Sequence, residues 1–263
     1  MGLLAQIKYN PIKNFLIKKF IKKFAVNMQD AIIEDPFAYA NFNDFFTRQL
    51  KPSVRPICKE QNTIASPADG FCSTFGNIDN GRLLQAKGIN YSIYSLLGRN
   101  EIWADYFQQG NYATIYLSPK DYHRVHQPID GKLLEMHYYP GYLLSVNPTV
   151  VANNPSLFAQ NERVIAYFQT DFGVIAVIFV GAVGVGSIVT TWAGAINPNK
   201  NQGKLIIKYN DGSFFAKGEE IGYFKIGSTV ILLMPKNNIE WDEKLNSVDA
   251  PVKMGEQLGV FKE

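Results

Sequence analysis

The chain has 263 residues, of which 46% are hydrophobic and 13% aromatic, a composition that excludes a disordered protein and allows a large core. Six of its 26 lysines and arginines, and no acidic residue, lie in the first 29 residues. The other 20 basic residues face 23 acidic ones, and this acidic body argues against a nucleic-acid-binding protein.

Residues 10–28 predict a basic amphipathic helix. The segment reads NPIKNFLIKKFIKKFAVNM, in which Asn10 can cap the helix and Pro11 suits its first position. At 3.6 residues per turn, Leu16, Phe20 and Phe24 share one face. The opposite face carries lysines 18, 19, 22 and 23.

This helix has two interpretations. A basic helix with phenylalanines on its apolar face suits an anionic membrane surface, with the apolar residues in the lipid interface. The alternative is a helix that packs on the protein and exposes its lysines to water. The helical pattern alone is compatible with both.

The rest of the chain predicts a β-rich body. The helix-rich region ends near residue 50, after NFNDFFTRQL. From about residue 63, short apolar runs alternate with Pro and Gly turns, which is typical of a barrel or sandwich. A helical interlude is expected at NYSIYSLLG and EIWADYFQQG. We therefore predict an α+β protein with an N-terminal helical region at 1–50 and a body at 51–263.

The two cysteines, Cys58 and Cys72, are too few for a disulfide framework, and no secretory signal is recognisable before them. We expect reduced thiols and a cytosolic chain.

Residues 172–199 carry no charged side chain and are long enough to span a bilayer. The segment also contains five glycines among many β-branched residues, which favour a sheet over a helix. RVIAYFQTDFGVIAVIFV predicts two buried strands joined at 171–173.

The three histidines are His123, His126 and His137, and the first two lie in SPKDYHRVHQP. Their His-x-x-His spacing is compatible with a metal pair, with hydrogen-bonded structural histidines, or with a general base for a serine. No third metal ligand is evident, and a catalytic zinc site needs three, so we predict no metal. Asp69 in SPADG could orient a base, although Asp-Gly after Pro is also a common turn.

Four sequence blocks occur in a fixed order: ASPADG, YLSPKDYHRVHQP, FVGAVGVGSIVTTWAG and GEEIGYFKIGSTVILL. A Gly-Ser-Thr before a strand is by itself usually a turn. Together, however, the blocks closely resemble the phosphatidylserine decarboxylases of the bacterial membrane-associated type. The resemblance runs from FNDFFTRQL to the C-terminus and includes LLQAKGINYSIYSLL. The family's cleavage motif is most often Leu-Gly-Ser-Thr, and the apolar Ile226 that replaces the leucine here should be harmless.

The resemblance implies a pyruvoyl-dependent carboxy-lyase made as a proenzyme. Ser228 Oγ would attack the carbonyl of Gly227 to form an ester, and β-elimination and hydrolysis would release ammonia and leave a pyruvoyl group. The products would be a β chain, 1–227, and an α chain, 228–263. His126 would activate Ser228 and Asp69 would orient His126, as in a serine-protease triad.

The implied substrate is phosphatidylserine, which the enzyme converts to phosphatidylethanolamine and CO2 in phospholipid biosynthesis. The pyruvoyl carbonyl would condense with the substrate amine and accept the electrons that CO2 leaves behind. We assign His123 to contact with the substrate carboxylate or to the proton transfer. Tyr116 is expected to line the substrate pocket.

The resemblance also implies partners and a location. The partners are phosphatidylserine in the membrane and the chain's own β and α chains, as a heterodimer or a dimer of heterodimers, with no nucleic acid. The location is the cytoplasmic face of the cell membrane, as a peripheral protein. A lipid substrate favours the membrane interpretation of the N-terminal helix.

Two other functions remain open. The repeated pattern in GEEIGYF and GEQLGVF suggests a biotinyl or lipoyl carrier, but no lysine stands at an evident hairpin tip. A pyruvoyl enzyme for a soluble amino acid is the second alternative, and the basic helix and the family blocks argue against it.

Overall fold

The computed structural model describes residues 4–86, 89–182, 188–196, 203–225, 227–247 and 249–262. The helices of this part are short apart from the first. They are α1 (Asn10–Phe24), α2 (Phe42–Phe46), α3 (Ile93–Leu96), α4 (Glu101–Phe107), α5 (Pro148–Val151) and α6 (Leu157–Gln160). Three single-turn 3₁₀ helices lie at Leu4–Gln6, Pro52–Val54 and Glu243–Asn246.

Strands make up most of the remaining structure. The first nine are β1 (Thr63–Ala65), β2 (Gly70–Asn77), β3 (Arg82–Ala86), β4 (Ile89–Ser92), β5 (Asn111–Leu117), β6 (Arg124–His126), β7 (Gly131–Tyr139), β8 (Arg163–Thr170) and β9 (Gly173–Gly181). The others are β10 (Ile188–Thr190), β11 (Gly194–Ala195), β12 (Leu205–Lys208), β13 (Phe214–Phe215), β14 (Glu220–Phe224), β15 (Ser228–Met234), β16 (Asn238–Trp241), β17 (Ala250–Val252) and β18 (Gln257–Lys262).

The largest sheet has nine antiparallel strands and organises the protein. Eight of its strands follow the order β12-β7-β8-β9-β15-β5-β2-β17, and β13 also pairs with β7. Among the described strands the sheet is open, because β12 and β17 lie at its two ends. Smaller sheets have the orders β1-β18-β16, β11-β10-β14-β6 and β3-β4. The predicted α+β class is confirmed.

Strand β15 lies inside this sheet, between β9 and β5. Its sequence, STVILLM, is buried along its whole length. Val230 and Leu232 belong to the core on one side of the sheet, and Ile231 and Leu233 belong to the core on the other side. A continuous apolar run is what a strand covered on both faces requires, since successive side chains point to opposite faces.

The two strands predicted around residues 171–173 are confirmed as β8 and β9, which pair from Arg163 with Val180 to Thr170 with Gly173. Residues 183–187 and 197–199 of the uncharged segment lie outside the described residues. In the part of the chain that is described, no helix is long and apolar enough to cross a membrane.

The N-terminal helix α1 is confirmed, with Tyr9 rather than Asn10 in the capping position. Phe20 packs on α2, with ring centroids 5.1 Å from Phe42 and 5.9 Å from Phe46. Lys13 is buried, and its Nζ donates hydrogen bonds to backbone oxygens of the irregular segment between α1 and α2. The helix is therefore attached to the protein. A domain boundary at residue 50 stays a prediction.

Candidate active site

The Gly227–Ser228 bond lies where β15 begins. Ser228 pairs with Leu117 of β5 and Gly181 of β9, so its backbone is fixed by strands on both sides. The side chain is fully buried, and among the described residues its Oγ has no hydrogen-bond partner. A Cβ at Gly227 would meet nothing within 4 Å, so open space lies beside this residue. Ile226, the altered position of the cleavage motif, lies outside the described residues.

A cavity of about 520 Å³ reaches Gly227, and its lining is mostly apolar. Tyr116 and Leu117 at the end of β5 form one wall, and Phe46 of α2 lies on another. That this cavity is the predicted substrate pocket of Tyr116 stays a prediction. Burial raises the pKa of its hydroxyl above the usual value, so Tyr116 is a neutral donor at pH 7.

His123 is fully buried in the loop between β5 and β6, and its ring lies 4.1 Å from that of Phe46. Nδ1 is 2.9 Å from the carbonyl oxygen of Asp121, which can only accept, so Nδ1 carries the proton. Nε2 has no partner among the described residues. Burial lowers the pKa of His123 to about 3, and the nearby Arg48 adds to this effect. The imidazole is therefore neutral, with its Nε2 lone pair unused.

His126 ends β6 and is held at both ring nitrogens. Nδ1 donates to the carbonyl oxygen of Gly218 at 2.8 Å, and Nε2 accepts from the hydroxyl of Tyr122 at 3.1 Å. Burial lowers the pKa of His126 as well, so the ring is neutral at pH 7. This tautomer has its basic lone pair at Nε2, as a general base requires.

Asp69 is buried beside this region and is bound by Arg55. The guanidinium Nε lies 2.9 Å from Oδ1 of Asp69, and the backbone nitrogen of Met254 donates to the same oxygen at 2.9 Å. Arg55 also reaches Asp30 at 3.3 Å. The backbone nitrogen of His126 donates to the carbonyl oxygen of Pro67 at 2.8 Å, which brings the SPADG segment to the histidine.

The predicted triad is therefore assembled only in part. The segments that carry Asp69 and His126 are joined through the backbone, but the side-chain hydrogen bonds found run from Asp69 to Arg55 and from His126 to Tyr122 and Gly218. The carbonyl of Gly218 occupies the place beside Nδ1 that a triad carboxylate would take.

Gly70 explains the Asp-Gly pair of SPADG. A Cβ at this position would lie 2.1 Å from the backbone oxygen of Tyr116, so only glycine allows β2 to approach β5 here. The close approach places Asp69 next to the end of β5, where Tyr116 enters the cavity.

The partners of Asp69 and His126 could not be predicted from the sequence. Tyr122 stands four residues before His126 but lies in the loop before β6, where no helical or strand period applies. Arg55 precedes the first strand, in a segment without a recognisable pattern. Their roles depend on contacts that form only when the chain folds.

The described residues hold no group of three or more His, Cys, Asp or Glu side chains that could bind a metal ion. His137, the third histidine, lies on β7 and contacts Glu135 of the same strand at 2.9 Å. A metal interpretation of His123 and His126 thus has no further ligands in this part of the chain.

Ser228 places a buried, unpartnered hydroxyl beside the carbonyl of Gly227. A hydroxyl that makes no hydrogen bond in the interior is costly to retain, and among the described residues those of Thr229 and Tyr91 share this state, so it does not by itself single out Ser228. The adjoining apolar cavity would exclude water from a reaction at this bond.

Comparisons with known proteins show which family the chain resembles. The sequence model of the family described as phosphatidylserine decarboxylase matches residues 42–260. The chain is 46% identical to a phosphatidylserine decarboxylase proenzyme of Bordetella petrii, over 100% of this chain and 92% of the relative. Proenzymes of the same name from Pseudomonas entomophila and Vibrio cholerae are 47% and 45% identical, over 98% and 97% of this chain and 91% of each relative.

Proposed function

The chain belongs to the phosphatidylserine decarboxylase family, and from this premise we propose that it converts phosphatidylserine to phosphatidylethanolamine and CO2. We propose further that it is made as a proenzyme and cleaves itself between Gly227 and Ser228. The observation that carries the proposal is the buried, unpartnered Oγ of Ser228 next to Gly227, a residue that lines an apolar cavity.

Self-cleavage is a rearrangement that needs no co-reactant until its last step. Ser228 Oγ attacks the carbonyl carbon of Gly227, the C–N bond breaks, and the freed amino group takes a proton as the ester forms. In the elimination a base takes the Cα proton of Ser228, the Cα–Cβ double bond forms and the Cβ–O bond breaks, which leaves a carboxylate on Gly227 and a dehydroalanine at 228. One water then converts the dehydroalanine to a pyruvoyl group and ammonia. Glycine suits the attacked position because it has no Cβ to shield its carbonyl.

His126 is the proposed base for this attack. Its Nδ1–H is bound to the Gly218 carbonyl, so the lone pair of Nε2 is the one available for the proton of Ser228. That lone pair accepts a hydrogen bond from the hydroxyl of Tyr122. This hydrogen bond must break before Nε2 can take the proton of Ser228. The hydrogen bond to Gly218, the charge of Glu220 and, to a smaller extent, the charge of Asp69 raise the proton affinity of His126 against the effect of burial.

The residues around Ser228 fit a pyruvoyl group at this position. Such a group supplies a carbonyl that draws electrons from the substrate Cα when CO2 leaves. The apolar lining of the cavity favours that loss, because it destabilises a carboxylate more than the charge-dispersed transition state.

His123 is the proposed proton carrier of the decarboxylation. Its Nε2 is an unpartnered acceptor, suited to take a proton from the substrate ammonium group and return it to Cα. The substrate carboxylate would raise the pKa of His123 from its low value, since an opposite charge stabilises the imidazolium. Tyr116, a neutral hydroxyl in the cavity that reaches Gly227, is the proposed hydrogen-bond donor to the substrate.

We also propose that the protein is peripheral at the cytoplasmic face of the cell membrane, through exposed residues at the start of α1 and along it. Tyr9, Ile12 and Phe15 are 65%, 43% and 64% exposed there. The lysines of α1 at 18, 19, 22 and 23 are exposed too, and each is worth about 1 kcal/mol near an anionic bilayer. Leu16, Phe20 and Phe24, which the sequence assigned to the lipid interface, are turned to the cavity instead.

The test is the intact mass of the purified protein together with its activity on labelled phosphatidylserine. We expect two chains, 1–227 and 228–263 with a blocked first residue, and release of labelled CO2 from phosphatidylserine but not from free serine. Ser228→Ala should give one chain and no activity. A wild-type protein that stays one chain, or that prefers free serine, would refute the proposal.

A further inference from the structure

Helix α1 forms one wall of the cavity that leads to Gly227. Leu16, Phe20 and Phe24 of this helix line the same space as Tyr116. The helix is thus part of the candidate active site as well as a surface element. Ile12, one turn before Leu16, and Phe15 of the same helix are exposed.

The four neighbouring lysines of α1 divide into two pairs. Lys19 and Lys23, one turn apart, line the cavity. Lys18 and Lys22, also one turn apart, are exposed and are not part of its lining. The two pairs have the same charge and lie on the same helix, so only their position relative to the cavity distinguishes them.

The cavity is complementary to an anion that carries apolar groups. Lys19 and Lys23 are the charged residues of its described lining, which includes no carboxylate. The remaining lining is mostly apolar and aromatic. A phosphodiester joined to a diacylglycerol has both properties, whereas free serine has no apolar part.

The cavity volume limits how much of a lipid can enter. About 520 Å³ is within the range of pockets that hold a drug-sized molecule. The headgroup, the glycerol and the first acyl carbons are of that size, and two long acyl chains are much larger. The rest of the acyl chains must therefore stay outside.

We propose that α1 is the lipid-recognition wall of this cavity. Lys19 and Lys23 bind the phosphodiester of the glycerophospholipid, and Leu16, Phe20 and Phe24 contact its glycerol and first acyl carbons. This inference rests on the proposed function, because it assumes that the substrate is a phospholipid.

The experiment uses dioctanoyl phosphatidylserine below its critical micelle concentration, so that binding to a membrane does not enter. Three double variants of the full-length chain are compared: Lys19→Gln with Lys23→Gln, Lys18→Gln with Lys22→Gln, and Leu16→Ala with Phe24→Ala. Intact mass gives the cleaved fraction of each, and rates are divided by it. The competitor sn-glycero-3-phosphoserine, which has the phosphodiester but no acyl chains, probes the lysines alone.

We expect the Lys19 and Lys23 variant to raise KM for dioctanoyl phosphatidylserine, and Ki for the competitor, by roughly tenfold, which corresponds to about 1.4 kcal/mol. The charge-matched Lys18 and Lys22 variant should change KM and Ki by less than about twofold, because a distant surface charge is screened by salt. The Leu16 and Phe24 variant should raise KM for the short-chain lipid by roughly tenfold and leave Ki for the competitor unchanged.

Equal effects of the two lysine pairs, or a competitor that does not bind the wild type, would overturn the lysine assignment. Unchanged KM in the Leu16 and Phe24 variant would overturn the apolar wall, and if that variant fails to cleave, Leu16→Ala alone is used. A wild type with no activity on dioctanoyl phosphatidylserine would instead refute the proposed function, so the two failures are distinguishable.

Discussion

The hydroxyl of Tyr122 lies 3.1 Å from Nε2 of His126, on the lone pair that the proposed base needs. In the proposed mechanism, Tyr122 and Ser228 would compete for this nitrogen. Nδ1 is already bound to Gly218, so the ring keeps one anchor if the tyrosine hydroxyl is removed.

Tyr122→Phe should speed self-cleavage about fivefold, because the hydrogen bond that must open costs about 1 kcal/mol. The measurement is the time course of intact mass after cell-free synthesis. Tyr91→Phe, which removes a buried hydroxyl that has no partner among the described residues, is the matched control and should cleave at the wild-type rate. Slower cleavage in Tyr122→Phe would mean that the tyrosine positions His126 instead of competing with Ser228.

Asp69→Asn should slow self-cleavage by at least about tenfold, since it removes the negative charge near His126. It should also lower stability, because Arg55 loses a charged partner in a poorly solvated place. Asp30→Asn removes the other carboxylate on Arg55 and separates the two effects. If Asp30→Asn slows cleavage as much as Asp69→Asn does, loss of stability explains both effects, and Asp69 has no direct role in self-cleavage.

His123→Ala and His126→Ala should fail at different steps. His126→Ala should remain largely one chain, because an unactivated serine hydroxyl is a poor nucleophile. His123→Ala should cleave substantially and turn over phosphatidylserine at least about a hundredfold more slowly, as expected when a proton-transfer group is lost. Gel analysis and turnover per cleaved molecule measure the two steps. Activity that simply follows the cleaved fraction in His123→Ala would contradict the separate roles.

Acid should destabilise the uncleaved protein through His123. The pKa of this group falls to about 3 on folding from an ordinary value near 6.5, so only the unfolded chain takes up its proton between these values. Stability is thus complete above pH 6.5 and falls as the pH decreases, by about 2 kcal/mol at pH 5 from this group alone. His126 and His137, whose pKa values are also lowered, act in the same direction.

Urea unfolding of Ser228→Ala at pH 7, 6 and 5 measures this effect without interference from cleavage. The same variant with His123→Gln should lose less stability over the range. An identical pH dependence in the two proteins would show that His123 does not titrate differently in the folded and unfolded states.

Charge reversal at Lys18 and Lys22 should weaken binding to anionic vesicles, since each lysine contributes about 1 kcal/mol before salt screening. Self-cleavage should be unaffected, because neither residue touches the site around Ser228. Phe15→Ser should weaken vesicle binding at both low and high salt, since Phe15 is exposed and its contribution is apolar. Vesicle co-sedimentation measures both, and unchanged binding in the charge-reversed protein would show that these lysines are only solvated.

The elements with a strong local pattern could be predicted from the sequence. The apolar runs of β8, β9 and β15 and the 3.6-residue period of α1 indicated their structure. The partner of each face of α1 could not be predicted. Helical periodicity shows which apolar residues share a face, but it does not show what that face contacts. Phe20, which lines the cavity, and Phe15, which is exposed, are both phenylalanines.

The candidate site could be predicted only where the family blocks marked it. Gly227 and Tyr116 line one cavity, and Ser228 follows Gly227 at the start of β15, whereas their catalytic roles stay a prediction. The contacts of Asp69 and His126 could not be found in this way, because they come from Arg55 and Gly218, which are 14 and 92 residues away in the chain. Such long-range side-chain contacts leave no periodic signal in a single sequence.

The position of β15 inside the large sheet affects how the cleaved protein would unfold. The residues after the proposed cut form β15 between β5 and β9, β17 beside β2, and β18 between β1 and β16. After cleavage, chain 228–263 would still pair with strands of chain 1–227, and it could dissociate only if the hydrogen bonds between those strands break. Unfolding of the mature enzyme would then be a dissociation, with a midpoint that rises with protein concentration. The two separated pieces could not remake the lost peptide bond, so each molecule would have to fold before it cuts itself.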